Sequence, residues 1–520
     1  MTSASVKTRF LVSVGANAGR AGISFLAGVL IARGLSPVGY GDLFFLLGSF
    51  TAIRALMDMG TSSAFYTFIA QRARERAFYL VYFIWLALQF LVTVLVVLVI
   101  LPDTMIDRIW LGHSQDVILL AFFASFVQQQ VWTTIIQICE AVRKTVMVQL
   151  TGLVVVVIHL GIVLFLMEVD WLSIHSVLIT LLGEYLIAAM VIWWLLHHQA
   201  GHSTAALDGK KFYLKDTFSE YWVFCRPLLI IAIVSFFYEF LDRWLLQRFG
   251  GSEQQGFYQI SAQFAAVSLL ATASILSIFW KEIAEAHEQG DHIRVERLYH
   301  KVSRALLMLG AVISCFLIPW SEQLALLLLG DAYADAWPVL AVMFLYPIHQ
   351  SMGQINGTMF MACKRTKSYM NITLLGMLIS IPVSYFMLVS SDEWLIPGLA
   401  LGALGLAIKM VGLNVFLVNV QGWMLARYHG WKYQWKYQVV GVLSLFGLGY
   451  LVKMFTVLMV VDIFLADVDK LTIVFMMIAA GFLYLVVVLI FVWFCPRLFG
   501  AEREEIQLFL GKRVPFLSGW

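Results

Sequence analysis

The chain has 520 residues, 61% of them hydrophobic and 13% charged, with a formal net charge of +3. A soluble domain holds roughly 45–50% apolar and about 25% charged residues, so a water-soluble core is excluded and lipid must be the solvent for most of the surface. The small net charge points to no class of partner and gives no reason to expect nucleic acid.

Apolar runs long enough to cross a bilayer as helices, which needs about 20 residues each, are predicted in chain order at 10–33, 43–70, 78–101, 116–139, 146–168 and 173–196. A polar stretch of mixed charge follows at 197–222. A second set runs 223–248, 256–280, 302–320, 337–361, 368–390 and 395–418. After a basic, aromatic loop come 437–460 and 471–495, then a charged tail. The runs are apolar on every side rather than alternating, which excludes a lipid-exposed barrel. The first run is longer than a signal h-region of roughly 7–15 residues and is read as a retained span. Cys139, Cys225, Cys315, Cys363 and Cys495 are scattered, with no CxxC or Cys/His cluster, so neither a metal site nor a disulfide framework is expected, and no cofactor.

Loop charges assign the sides. With an even number of spans the two ends share a side, and that side carries Arg72, Arg74, Arg76, Arg143, Lys144, Lys210, Lys211, Lys215, Lys281, Arg294, Arg297, Lys301, Lys364, Arg365, Lys367, Arg427, Lys432 and Lys436. The opposite loops hold Arg33, Arg108, Arg248 and Lys470. Positive loops stay inside, so both termini are expected in the cytoplasm. The chain also repeats itself: 123–145 aligns with 344–366, placing Gln129 on Gln350, Ala141 on Ala362, Arg143–Lys144 on Lys364–Arg365 and Thr145 on Thr366. A similar offset brings Gly39–Tyr40 close to Phe257–Tyr258. The expected fold is therefore an all-α polytopic membrane protein of about fourteen transmembrane helices. It comprises an N-lobe over 1–196, a cytoplasmic linker over 197–222 and a C-lobe over 223–418; 419–520 holds two further helices and a cytoplasmic tail. Six is even, so the lobes would be related by a pseudo-two-fold axis along the membrane normal.

Three stretches carry a family likeness. They are ARGLSPVGYGDLFFLLGSFTAIRALMDMG at 32–60, FLDRWLLQRFGGSEQQGFYQISAQF at 240–264 and LLLLGDAYADAWPVLAVM at 326–343. Together they make the chain resemble the multidrug/oligosaccharidyl-lipid/polysaccharide (MOP) flippases, and within them the Wzx-type polysaccharide transporters. The resemblance implies two six-helix lobes with an inward N-terminus, and central-cavity arginines that hold a lipid diphosphate.

Charges inside the membrane need a reason, since each costs at least about 2.5–3.5 kcal/mol at mid-bilayer. Arg20, Arg54, Asp58, Glu184 and Lys409 lie near the middle of their spans. The first span, VSVGANAGRAGISFLAG, is rich in small residues and holds Asn17, a composition suited to packing or to lining a cavity. Guanidinium groups suit a diphosphate because they give it forked, charge-assisted hydrogen bonds. By resemblance of position, Arg20 and Arg54 are the candidate headgroup ligands, with Lys409 as the second lobe's cation. Gln129 and Gln350 offer donors and acceptors to sugar hydroxyls. Asp58 and Glu184 are candidates to take a coupling proton or sodium ion. Structural readings stand beside these. Arg54 and Asp58 are four residues apart and could neutralise each other; Arg20 could pair with Glu184; Lys409 could pair locally; the glutamines could bond between helices. Glu239 and Arg243, also four apart, are read as a structural ion pair at a helix end. His159 and His349 are read as core hydrogen-bonding residues.

The expected function is a flippase that moves a polyprenyl-diphosphate-linked oligosaccharide across the cytoplasmic membrane of a bacterium or archaeon by alternating access. Its partners would be that lipid, the bilayer, and a polysaccharide polymerase and glycosyltransferases. Two alternatives remain open: a cation-coupled drug antiporter of the same superfamily, and a membrane-embedded polymerase or ligase. Against the second, the loops on the outer side are short; the lack of a nucleotide fingerprint speaks against ATP-driven transport.

Overall fold

The computed structural model describes residues 6–72, 74, 76–200, 214–390, 392, 396–464 and 470–502. Lys210 and Lys211 of the linker, and the tail from 503, lie outside the described residues. All regular structure among the described residues is helical. The chain divides into two compact units, one of 1–256 with 377–402 and one of 257–376 with 403–520.

In the first unit, α1 (Val6–Asp58) runs through a break at Ser36, where φ is 59° and ψ 171°, followed at once by Pro37. Proline lacks an N–H and fixes φ, so it suits the first turn of a new helical leg. Then come α2 (Thr61–Gln71), α3 (Arg76–Leu95), a short α4 (Asp103–Trp110), α5 (Gln115–Phe126), α6 (Trp132–Ala141), α7 (Thr145–Glu168), α8 (Ile174–Ala200) and α9 (Leu214–Cys225). Between α5 and α6 the helix widens to π geometry over Val127–Val131, the segment that holds Gln128, Gln129 and Gln130. The next helix, α10 (Leu229–Glu288), breaks at Gly251, where φ is 79° and ψ 175°.

The second unit continues with α11 (His292–Leu317), α12 (Ser321–Leu324), α13 (Trp337–Met343), α14 (Tyr346–Ala362), α15 (Thr366–Leu388), α16 (Gly402–His429), α17 (Lys436–Phe464) and α18 (Lys470–Phe494); the end of α15 belongs to the first unit. Eleven helical segments among the described residues are long and apolar enough to cross a membrane. Two of them, Gly15–Asp58 and Lys215–Leu269, are double legs broken at Ser36 and Gly251. Trp337–Ala362, interrupted at Phe344–Leu345, adds one more leg. Fourteen crossings result. Each unit exposes large apolar side chains, Leu80, Ile84, Leu91 and Val99 in the first and Phe482 and Leu489 in the second, as a lipid-facing surface does.

The sequence repeat reappears as local geometry. After α6, the amides of Val142, Arg143 and Lys144 donate to the carbonyls of Ile138, Glu140 and Cys139 at 3.0, 3.0 and 2.7 Å. After α14, those of Cys363, Lys364 and Arg365 donate to Met359, Met361 and Phe360 at 2.9, 3.1 and 2.7 Å. Arg143 and Lys364 both take left-handed φ, 61° and 57°, a region that non-glycine residues seldom enter. The two basic turns are the same turn, 221 residues apart.

Each unit has its own core. In the first, Phe65, Phe68, Phe78 and Tyr82 pack with Cys225, and the Phe65 and Tyr82 rings stack at 3.9 Å. Beside them Arg74 donates two hydrogen bonds to Glu220, 2.9 and 2.8 Å, and lies over the Phe68 and Phe78 rings. This ties α9 to the α2–α3 loop. In the second, Ile283, Val295, Tyr299, Leu306, Ile355, Phe360 and Leu425 form the core.

Candidate substrate and ion site

The first unit contains a reciprocal contact between its two broken helices. Gly41 lies so close to Ser252 that a β-carbon would sit 1.8 Å from the Ser252 carbonyl oxygen; on Gly256 one would sit 2.1 Å from the Pro37 oxygen. Positions 37 and 252, and 41 and 256, are each 215 apart, as are the breaks at 36 and 251. The contact has the self-complementary form of a two-fold interface, and only glycine allows the backbones to approach so closely. Polar groups surround it. Gln247 Nε2 donates to Asp42 and to Ser252 Oγ, both at 2.8 Å. His113 Nε2 is 3.5 Å from the Asp42 carboxylate. Arg243 Nη1 donates to the Gly48 carbonyl at 2.6 Å. The Glu239–Arg243 ion pair expected from their spacing is therefore not formed; the guanidinium reaches α1 instead, where a helix carbonyl accepts it. Asp242 takes a hydrogen bond from Ser384.

Deeper in this unit lie the membrane charges. Arg20 is half-buried, and its Nη2 donates to Asn17 Oδ1 at 2.7 Å. It rests against Gly152 of α7, with Nη1 3.2 Å from where a β-carbon would be. No carboxylate among the described residues comes within 4.0 Å of it. The expected alternative partner, Glu184, is instead 2.9 Å from His159 Nδ1. Arg54 forms no hydrogen bond or ion pair among the described residues, and its Nε is buried. It lines a cavity of about 20 Å³ with Met57, Gln89, Thr93, Ser125 and Gln130, room for one water but not for a sugar.

Asp58 does not neutralise Arg54. Its Oδ1 accepts from Thr61 Oγ1 at 3.1 Å, Ser62 N at 3.0 Å and Ser62 Oγ at 2.5 Å. That closes the first turn of α2, a carboxylate's ordinary work at a helix N-terminus, and it weakens the case for Asp58 as an ion ligand. A polar chain extends from there: Ser62 to Tyr82 at 3.1 Å, Gln130 Nε2 to Gln89 Oε1 at 3.1 Å, Gln89 Nε2 to the Met57 carbonyl at 3.2 Å. Gln129 donates to Thr51 at 2.8 Å, so one of its groups is already engaged between helices.

The second unit treats its candidates differently. Lys409 is only 2% exposed, with Nζ 3.8 Å from Met410 Sδ, and it does not present its charge to a headgroup in this conformation. Gln350 is half-buried and makes no side-chain hydrogen bond among the described residues. His349 is half-buried on α14.

Sequence reasoning missed the Asp42–His113–Gln247–Ser252 cluster and the His159–Glu184 pair. Both join residues far apart in the chain. The first had a signal in the paired SPVGYG and GGSEQQG stretches, which mark breaks where backbones meet.

A kinked, fourteen-crossing helical bundle with buried cations defines a multi-pass membrane transporter of the MOP class. Residues 6–280, more than half the chain, match the family model described as "Polysaccharide biosynthesis protein", and the chain belongs to that family. Residues 227–386 also match the model described as "MatE". Among solved structures, the chain is similar to "Lipid II flippase MurJ, inward closed conformation", with TM-score 0.65, 14% identity, and coverage of 93% of this chain and 99% of that one. It is similar to an inward-facing multidrug resistance MATE family transporter of the MOP superfamily (TM-score 0.57, 16% identity, 79% and 94% covered). It is also similar to a MOP superfamily transporter from Pyrococcus furiosus (TM-score 0.53, 15% identity, 81% and 96% covered). At these identities the likeness establishes the fold. No curated protein matches the chain in sequence.

Proposed function

We propose that this transporter is a flippase for a polyprenyl-diphosphate-linked oligosaccharide, of the Wzx type, serving polysaccharide or envelope assembly in a bacterial or archaeal cytoplasmic membrane. The observation that carries the reading is the pair of mid-membrane arginines, Arg20 and Arg54, neither with a carboxylate within ion-pair distance among the described residues. A cation left half-satisfied in lipid is costly unless an anion arrives to complete it. A diphosphate does so through charge-assisted hydrogen bonds. Both termini face the cytoplasm in this reading, because the basic turns do.

The mechanism is alternating access. The two six-helix lobes, 1–196 and 223–418, exchange an inward for an outward opening, and the last two helices are an appendage. The headgroup enters from the cytoplasm while the lipid tail stays in the bilayer. The Gly41–Ser252 and Gly256–Pro37 contact, near the end opposite the basic turns, must part to release it outward. No bond is made or broken, so the chain is not an enzyme in this reading. Asn17, Gln129 and Gln350 would meet sugar hydroxyls. Polymerase and glycosyltransferase partners would supply and consume the lipid-linked sugar.

The test is complementation of a cell lacking its own polysaccharide flippase, with wild type, Arg20→Ala and Arg54→Ala at matched membrane levels. Restoration of surface polymer by wild type alone supports the reading; restoration by all three removes the arginines from the site. The MatE match over 227–386 favours a second reading, export of cationic drugs. Protection of a drug-sensitive host, with no polymer restored in hosts of differing repeat unit, would select it.

A further inference from the structure

We propose that His159 and Glu184 form a proton-binding site that couples proton movement to occupation of the Arg20 site. The inference rests on the transporter reading for its purpose but not for its chemistry. His159 stands on α7, fourteen residues from its start, and Glu184 on α8, ten residues from its start. At 1.5 Å per residue both are deep in their spans. Nδ1 of the imidazole is 2.9 Å from Glu184 Oε2, and the two side chains are 13% and 7% exposed. The other carboxyl oxygen, Oε1, is buried without a hydrogen-bond partner.

A carboxylate here has one donor where it could use several. With one proton held between them, the pair is net neutral, whichever atom carries the proton. Loss of that proton to water leaves neutral imidazole and carboxylate, a net charge of −1 in a low-dielectric place. The unmet Oε1 leaves the pair room for one more donor.

The pair is also placed to sense the arginine. Arg20 lies against Gly152, and Gly152 and His159 are seven residues apart, on the same face of α7 and about 10 Å apart along its axis. The deprotonated pair, at −1, repels an anion at Arg20. Proton binding therefore favours the anion, and the anion favours the proton to the same degree. Few other charges intervene. On the helices packed against α7 and α8, the titratable or charged side chains described are Arg20 on α1, with Tyr185 beside Glu184; at one end Arg33, Tyr40, Asp42, Asp116, Glu168 and His175; and at the other Cys139, Glu140, Arg143, Lys144, His197 and His198. Arg54 and Asp58, farther along α1, are engaged with the α2, α3 and α5 side.

The test begins without substrate. Infrared titration of the purified protein from pH 8 to 5 is compared for wild type, Glu184→Gln and His159→Gln, each checked for an unchanged melting profile. The proposal expects carboxyl and imidazole bands that titrate together in wild type and are both lost or displaced in either variant. Bands that titrate independently, each variant losing only its own, would overturn it. Binding of a short isoprenyl diphosphate is then followed by calorimetry in buffers of different ionisation enthalpy. Wild type should take up a proton on binding, relative to Glu184→Gln, and bind about fivefold or more tightly at the acid end, while Glu184→Gln binds with a shallower pH dependence. Equal proton uptake in both would overturn the coupling. If the bands behave as expected but no diphosphate binds any form, the proton site stands and the lipid-diphosphate reading falls. Should Glu184→Gln fail to fold, His159→Gln carries the same comparisons.

Discussion

The membrane arginines Arg20 and Arg54 of the first unit and Lys453 of the second are handled in opposite ways. In the second, Lys453 donates to the Pro319 carbonyl at 2.6 Å and to Gln323 at 3.1 Å and lies over the Trp320 ring. Arg304 donates to the Arg497 carbonyl at 2.7 Å and to Gln434, and lies over Tyr437. Lys453 is held by its own protein on every side and acts as a strut, and Arg304 is tied by both terminal nitrogens although its Nε is buried without a partner. In the first unit Arg20 has one neutral partner and Arg54 none among the described residues. The chemistry of the side chains is the same; what differs is whether folding has completed their hydrogen bonds. A completed cation holds the fold, and an incomplete one is available to a ligand.

The comparison can be broken most severely at the glycine contact. Gly41→Val would drive a side chain into the Ser252 carbonyl whenever the contact closes; transport should be lost in complementation while the size-exclusion profile stays normal, because the contact opens in the cycle. Arg20→Ala and Arg54→Ala should also keep a normal profile and lose transport at least tenfold in a flux assay. A melting point that falls in step with transport would make them struts like Lys453 of the second unit. Lys453→Met should do the reverse. It leaves the Pro319 carbonyl without its donor, costing about 1–3 kcal/mol, so the melting temperature drops while transport per folded molecule holds. Asp58→Asn should have the smallest effect, within about 1 kcal/mol. The amide oxygen still accepts from the start of α2, and flux should change less than twofold; a total loss would restore Asp58 as an ion ligand.

Much of this was legible in the chain. The spans follow from runs of about 20 apolar residues, and the match of 123–145 with 344–366 reappears as the same left-handed turn at Arg143 and Lys364. What was not legible is which faces meet. The i,i+4 rule paired Glu239 with Arg243, yet Arg243 bonds Gly48, 195 residues away. The same rule paired Arg54 with Asp58, yet Asp58 turned to the backbone of α2. Glu184 and His159 stand on separate helices, and no periodicity within either helix announces that they face each other. Lys409 reads as a mid-span cation in any window, and only packing shows it closed off.

The most direct measurement of the central claim, that incomplete arginines of the first unit hold the substrate's diphosphate, is flipping of a polyprenyl-diphosphate-linked sugar in proteoliposomes by wild type, Arg20→Ala and Arg54→Ala. The account predicts rapid translocation by wild type and at least tenfold slower movement by each variant, with unchanged melting temperatures. Translocation at the wild-type rate by both variants would contradict it.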